Sequence, residues 1–107
     1  MRVMSREELK EKLDRGDNFK LYMTLSRQAF ERYHIPGSLH LDSIAEVSAN
    51  LSPEEEIVVY CANPACPSSF NAYMRLCSLG YKNLYRYAGG LTDWQNAGYE
   101  LVGDMVN

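Results

Sequence analysis

The period of apolar residues changes several times along this chain, and each change marks an element. Leu9 and Leu13 share one face between Ser5 and Gly16, a helical spacing. Ser5 and Glu8 fit a capping box, Met4 and Leu9 stand where a hydrophobic staple would be, and Gly16 is a C-terminal stop. In "FKLYMTL" (19–25) Phe19, Leu21, Met23 and Leu25 alternate, which predicts a strand. Ser26 can cap a short helix carrying Ala29, Phe30 and Tyr33. "HIPGSLHLD" (34–42) predicts a Pro-Gly turn and a short strand, and 43–48 a brief helix. After a turn at "SPEEE", "IVVYC" (57–61) is a β-branched and aromatic run, the mark of a strand buried on both faces. From Ser69 to Leu79, Phe70, Tyr73, Met74 and Cys77 recur at helical spacing; this predicts a helix ended by Gly80, with Cys77 packed in the core. "NLYRYAGG" (83–90) reads as a strand and a glycine turn needing positive φ or close backbone approach. "LTDWQNAG" (91–98) reads as a short helix with Thr92 as cap and Gly98 as stop.

Strands and helices therefore alternate, which implies an α/β domain around a mainly parallel central sheet with helices on both faces. A chain of 107 residues without repeat or linker is the size of one domain, spanning 1–107. The net charge of -3, with no long run of either sign, argues against nucleic acid or an anionic membrane as partner. No apolar stretch approaches the roughly 20 residues that span a bilayer. The charged start, "MRVMSREELKEKL", lacks an apolar export core. Three cysteines are too few for a disulfide scaffold, so a cytoplasmic protein with reduced thiols is expected.

The chemistry concentrates in "YCANPACPSSF" (60–70). Ligands of open parallel sheets bind outside the carboxyl ends of the strands, and Cys61 falls at such an end. The loop beyond it leads into a helix N-terminus, where free N–H groups and the helix dipole favour an anion. A cysteine facing them has a depressed pKa and is a nucleophile. The competing reading is a buried cysteine that only fills space. Cys66, mid-loop between Ala65 and Pro67, fits a loop residue without a role, a resolving thiol or a second sulfur site. Cys61 and Cys66 have the spacing of a zinc ligand pair, but a closed site needs two more ligands, and His34 and His40 are the only histidines. No metal or other cofactor is expected.

The order of motifs resembles a rhodanese-like domain, from about Ser5 to Gly103. "HIPGSLHL" (34–41) is similar to that family's "HIPGA" segment, and "IVVYC" with its loop and helix to the active-site strand. "LGYKNLYRYAGGLTDWQNAGY" (79–99) is similar to its C-terminal signature and is the most specific match. The resemblance implies a three-layer rhodanese-like fold and a sulfurtransferase or persulfide carrier. Cys61 would take sulfane sulfur from a donor such as thiosulfate as a persulfide and pass it to a thiophilic acceptor. Partners would be the small donor, a thiol or cyanide-like acceptor, and a sulfur-relay protein. The loop Ala62, Asn63, Pro64, Ala65, Cys66, Pro67, Ser68 and Ser69 would bind the substrate, wrapping the persulfide in N–H groups.

Two departures qualify this. Met23 and Leu25 replace an Asp-x-Arg ion pair, a swap that can be neutral for stability. The loop holds six residues between Cys61 and Ser68, two more than usual, and Ser68 stands in the place of the family's loop arginine. No arginine or lysine occurs from Cys61 to Met74, so the phosphate-binding fork of related phosphatases and arsenate reductases is missing. Thiosulfate loses a recognition group for the same reason and is expected to be a poor donor. Two alternatives follow: a dithiol redox protein using Cys61 and Cys66, or a non-catalytic binding module. Outside the loop, His34 and His40 read as structural, and Trp94, Tyr87 and Tyr99 as core packing. Tyr22, Tyr33 and Tyr60 stand either at the loop's mouth or in half-buried strands.

Overall fold

The computed structural model describes residues 1–106. Its elements run α1 (Arg6–Arg15), β1 (Lys20–Met23), α2 (Arg27–Arg32), β2 (Leu39–His40), α3 (Ile44–Asn50), β3 (Ile57–Tyr60), α4 (Ser68–Ser78), β4 (Leu84–Tyr87) and α5 (Gly90–Asn96). The four strands form one parallel sheet in the order β2-β1-β3-β4, so β3 is an interior strand. All four of its residues are buried. Alternation sends Val58 and Tyr60 to one face, packed with Leu9, Leu21, Met23, Tyr87 and Trp94. Ile57 and Val59 go to the other, packed with Val47, Ala72, Tyr73, Leu76 and Leu84. These are the two faces that the "IVVYC" run predicts.

Local signals explain most of the boundaries. Ser5 accepts a hydrogen bond from the Glu8 N–H and Glu8 returns one, the complete capping box, while Gly16 ends α1 at φ 71°. Ser26 and Ser43 cap α2 and α3 in the same manner. Met23 is fully buried in the larger core, an apolar side chain at the place of the ion pair usual in the resembled pattern.

Two expectations need correction. On α4 the inward residues are Ser69, Ala72, Tyr73 and Leu76. Phe70 and Met74 are about half exposed and Cys77 is exposed, so Cys77 is not a core residue. The two stripes lie one residue apart on the same helical period. Periodicity predicts the helix but does not choose between them. Thr92 lies inside α5, whose cap position is Gly89. Of the two places open to Tyr60, the structure takes the strand and buries it fully; its hydroxyl accepts from the Ile35 N–H at 3.1 Å and pairs with Ser38 Oγ at 2.8 Å. His34 and His40 are structural: His34 Nδ1 contacts Phe30 O at 2.6 Å, and His40 bridges Leu25 O and Asp42.

Candidate active site

Cys61 is the first residue past the carboxyl end of β3. Its backbone is held from both sides. The Thr24 N–H and Oγ1 both donate to Tyr60 O, at 2.9 and 3.2 Å. On the other side the start of α5 donates into the loop, Leu91 N–H to Cys61 O at 3.0 Å and Thr92 N–H to Ala62 O at 2.9 Å. This approach depends on Gly90, which has φ +68° and where a Cβ would lie 2.4 Å from Cys61 O. The glycine turn of the sequence is thus the seat on which α5 meets the cysteine loop.

Short-range bonds shape the loop itself. Asn63 Oδ1 accepts from the Ala65 N–H at 2.9 Å, and the Cys66 N–H donates to Asn63 O at 3.1 Å, a tight Asx-type turn. The turn brings backbone carbonyls onto the Cys61 thiol. Its Sγ donates to Cys66 O at 3.4 Å and lies 3.9 Å from Asn63 O. Cys61 is only 2% exposed, so a donor reaches its sulfur only if the loop shifts.

The third contact to Cys61 Sγ is the hydroxyl of Ser69, at 3.2 Å. Ser69 is fully buried at the start of α4 and receives a hydrogen bond from Arg86 Nε at 2.8 Å. Because Nε is a donor only, the Ser69 proton is free to point at the sulfur. Arg86 Nη2 also donates to Pro64 O at 3.2 Å and Cys66 O at 3.4 Å. A cation therefore does serve this site. It comes from β4, the neighbouring strand, where Arg86 pairs in register with Val59. Sequence reasoning confined to the loop missed it, although the alternation Leu84, Arg86 already sets it on the face that carries α4.

Cys66 occupies the position expected for an anion. It is partly exposed, and Sγ lies 3.2 Å from Ser68 Oγ, which in turn meets Thr24 Oγ1 at 2.9 Å. Burial pushes the Cys66 thiol up. The Cys61 and Ser68 side chains and the N–H groups of Ser68 and Ala62 outweigh it by hydrogen bonding, lowering it to about 7. In this conformation the Ser68 and Ala62 N–H groups favour the Cys66 thiolate, while Cys61 Sγ faces the carbonyls of Cys66 and Asn63. Pro67, at the N-cap position before α4, provides no side-chain cap, which leaves the first N–H groups of the helix without that partner. Ser68 also borders an open groove of about 300 Å³ that includes Thr24, Asn71, Ala72 and Arg75. A second cleft, about 370 Å³ between α1 and α5, contains no cysteine.

The structure brings Cys61, Cys66, Ser68 and Ser69 together, and adds Arg86 and Thr24 to them. Ala62, Asn63, Pro64, Ala65 and Pro67 contribute backbone and turn geometry. An interior parallel strand that delivers a buried cysteine into a loop closed by a helix start defines a thiol-centred α/β site. The chain belongs to the rhodanese-like domain family, whose pattern it matches over residues 5–97. Among curated proteins it is 37% identical over 70 residues to thiosulfate sulfurtransferase GlpE of Pseudomonas syringae, a match covering 64% of each chain. This chain therefore spans just under two-thirds of that relative's length. Solved structures share the fold. A protein from Bacillus halodurans superposes with a TM-score of 0.89 at 21% identity, covering 97% of this chain and 78% of that one. The rhodanese-like domain of an Anabaena protein gives 0.86 at 25% identity, covering 98% and 81%. Among the described residues, no helix is long and apolar enough to cross a membrane.

Proposed function

We propose that this domain is a sulfurtransferase or persulfide carrier in which Cys61 holds the sulfane sulfur. The observation that carries the reading is the Cys61–Ser69–Arg86 chain. A thiol at the end of the interior strand faces a hydroxyl whose oxygen is held by a guanidinium. When the proton leaves, the hydroxyl can donate to the sulfur with the cation behind it.

The chemistry is two displacements at sulfur. The Cys61 thiolate attacks the outer sulfur of thiosulfate; a new S–S bond forms and sulfite leaves. A thiophilic acceptor such as cyanide or a thiol then attacks that outer sulfur, and the Cys61 thiolate leaves. Burial of Cys61 protects the bound sulfur from bulk reductants, and its delivery requires the loop to move. Arg75, on the groove beside Ser68, gives an anionic donor a cation on its approach. Arg86 commits its Nε and Nη2 to Ser69, Pro64 and Cys66 and supports the loop, so thiosulfate, a dianion, remains a poor donor. Family membership and the GlpE relative support the reaction class. The test is thiocyanate formation from cyanide with thiosulfate or polysulfide as donor. Activity that is abolished by Cys61→Ser is expected; equal activity in that variant removes Cys61 from the role.

A further inference from the structure

The enlarged loop is spent on placing a second thiol. Asn63 turns the chain, Pro64 and Pro67 bracket Cys66, and the result sets the Cys66 backbone carbonyl 3.4 Å from Cys61 Sγ. The Cys66 side chain lies against Ser68 Oγ at 3.2 Å, at the edge of the open groove. Neither cysteine is in a disulfide. We propose that Cys66 resolves the Cys61 persulfide, giving the domain a second outcome: reductive release of the carried sulfur as sulfide.

The inference rests on Cys61 being the sulfur carrier. In the step, the Cys66 thiolate attacks the inner sulfur of the protonated persulfide, Cys61 Sγ. The Cys66–Cys61 S–S bond forms, the bond from Sγ to the outer sulfur breaks, and that sulfur leaves as hydrosulfide with its electron pair. The sulfane sulfur is reduced by two electrons and the two cysteines are oxidised by two. An external thiol or dithiol reductant then restores both. Cys66 is fitted to this in three ways. It is the more exposed of the pair, its thiol is lowered to about 7 so that about half is thiolate at neutral pH, and its backbone already adjoins the sulfur it must attack. A thiol near ambient pH is also the best attacking group in thiol–disulfide exchange. The direction of sulfur traffic then depends on the acceptor: with cyanide or a thiol in the groove, sulfur is transferred, and without one it is released.

Sulfide release and intact mass after a single dose of polysulfide, without added reductant, test the proposal on the full chain. The wild type is expected to lose about 2 Da and release one sulfide per chain, with the Cys61 and Cys66 peptides linked. Cys66→Ser is expected to keep a gain of about 32 Da on Cys61 and to release at least tenfold less sulfide. Equal persistence of the added sulfur in both proteins overturns the resolving role while leaving the carrier role intact. Absence of the added mass from Cys61 in Cys66→Ser instead overturns the carrier reading itself. Mapping of the added sulfur onto Cys66 in the wild type also contradicts the proposal, since it would make Cys66 a carrier.

Discussion

Replacing Ser68 by alanine separates the anion-stabilising role of this loop from its shape. Ser68 Oγ lies 3.2 Å from Cys66 Sγ and is one of four groups that bring the Cys66 thiol from 9.0 to about 7. At pH 7 such a group is half thiolate, against about 1% for an ordinary thiol with a pKa near 9, a roughly 50-fold gain in the reactive form. Intrinsic nucleophilicity falls with pKa at a slope of about 0.45, which over two units returns about eightfold. The net advantage is about sixfold in alkylation rate at neutral pH. Loss of one hydrogen bond to a thiolate, about 1.4 kcal/mol, raises the midpoint by about one unit. The assay is iodoacetamide trapping across the pH range, followed by peptide mass, which resolves Cys66 from Cys61 and Cys77. The wild-type rate for Cys66 is expected to rise through a midpoint near pH 7 and that of Ser68→Ala near pH 8. A lowered pKa means that the thiolate persists to lower pH, so the variant's curve must move to the alkaline side. A wild-type midpoint near 9, or an unmoved curve in the variant, refutes the reasoning.

Other consequences can be checked on the same protein. Arg86→Met removes the bonds to Ser69, Pro64 and Cys66; at roughly 1.5–3 kcal/mol for a hydrogen bond to a charged group, sulfur loading of Cys61 should slow by at least tenfold, read by quenched-flow mass analysis. Gly90→Ala sets a Cβ 2.4 Å from Cys61 O at φ +68°, whereas Gly16→Ala meets nothing within 4 Å at a similar φ of +71°. Urea unfolding should show a loss of about 1 kcal/mol for Gly16→Ala and at least about 3 for Gly90→Ala. Tyr60→Phe leaves the Ile35 N–H without its buried partner and should cost about 1–3 kcal/mol in the same measurement.

The sequence carries the sheet almost whole, because each strand's side chains report their surroundings. "IVVYC" is apolar at every position and is buried on both faces, and the alternation of Phe19 to Leu25 matches one face of β1. Capping residues fix the helix starts of α1, α2 and α3 for the same local reason. What was illegible depends on contacts between distant segments. Of the apolar residues that predict α4, Tyr73 faces inward while Phe70, Met74 and Cys77 face outward, because Ser69, Ala72 and Leu76 share the same period one position away. Ser69 points inward because Arg86 and Cys61 satisfy its hydroxyl, partners 17 and 8 residues away. The arginine absent from the loop is likewise invisible until β4 pairs beside β3. N–H groups were expected around the first cysteine; in the folded loop the Asn63 turn puts carbonyls on Cys61 Sγ, and the Ser68 and Ala62 N–H groups favour charge on Cys66 instead.

The central claim is that Cys61 accepts sulfane sulfur. The most direct measurement is the peptide-resolved mass of the Cys66→Ser chain after exposure to thiosulfate or polysulfide, where no second loop thiol can discharge the product. A gain of about 32 Da confined to the peptide containing Cys61, and erased by cyanide with formation of thiocyanate, is the predicted result. An unmodified Cys61 with both donors contradicts it.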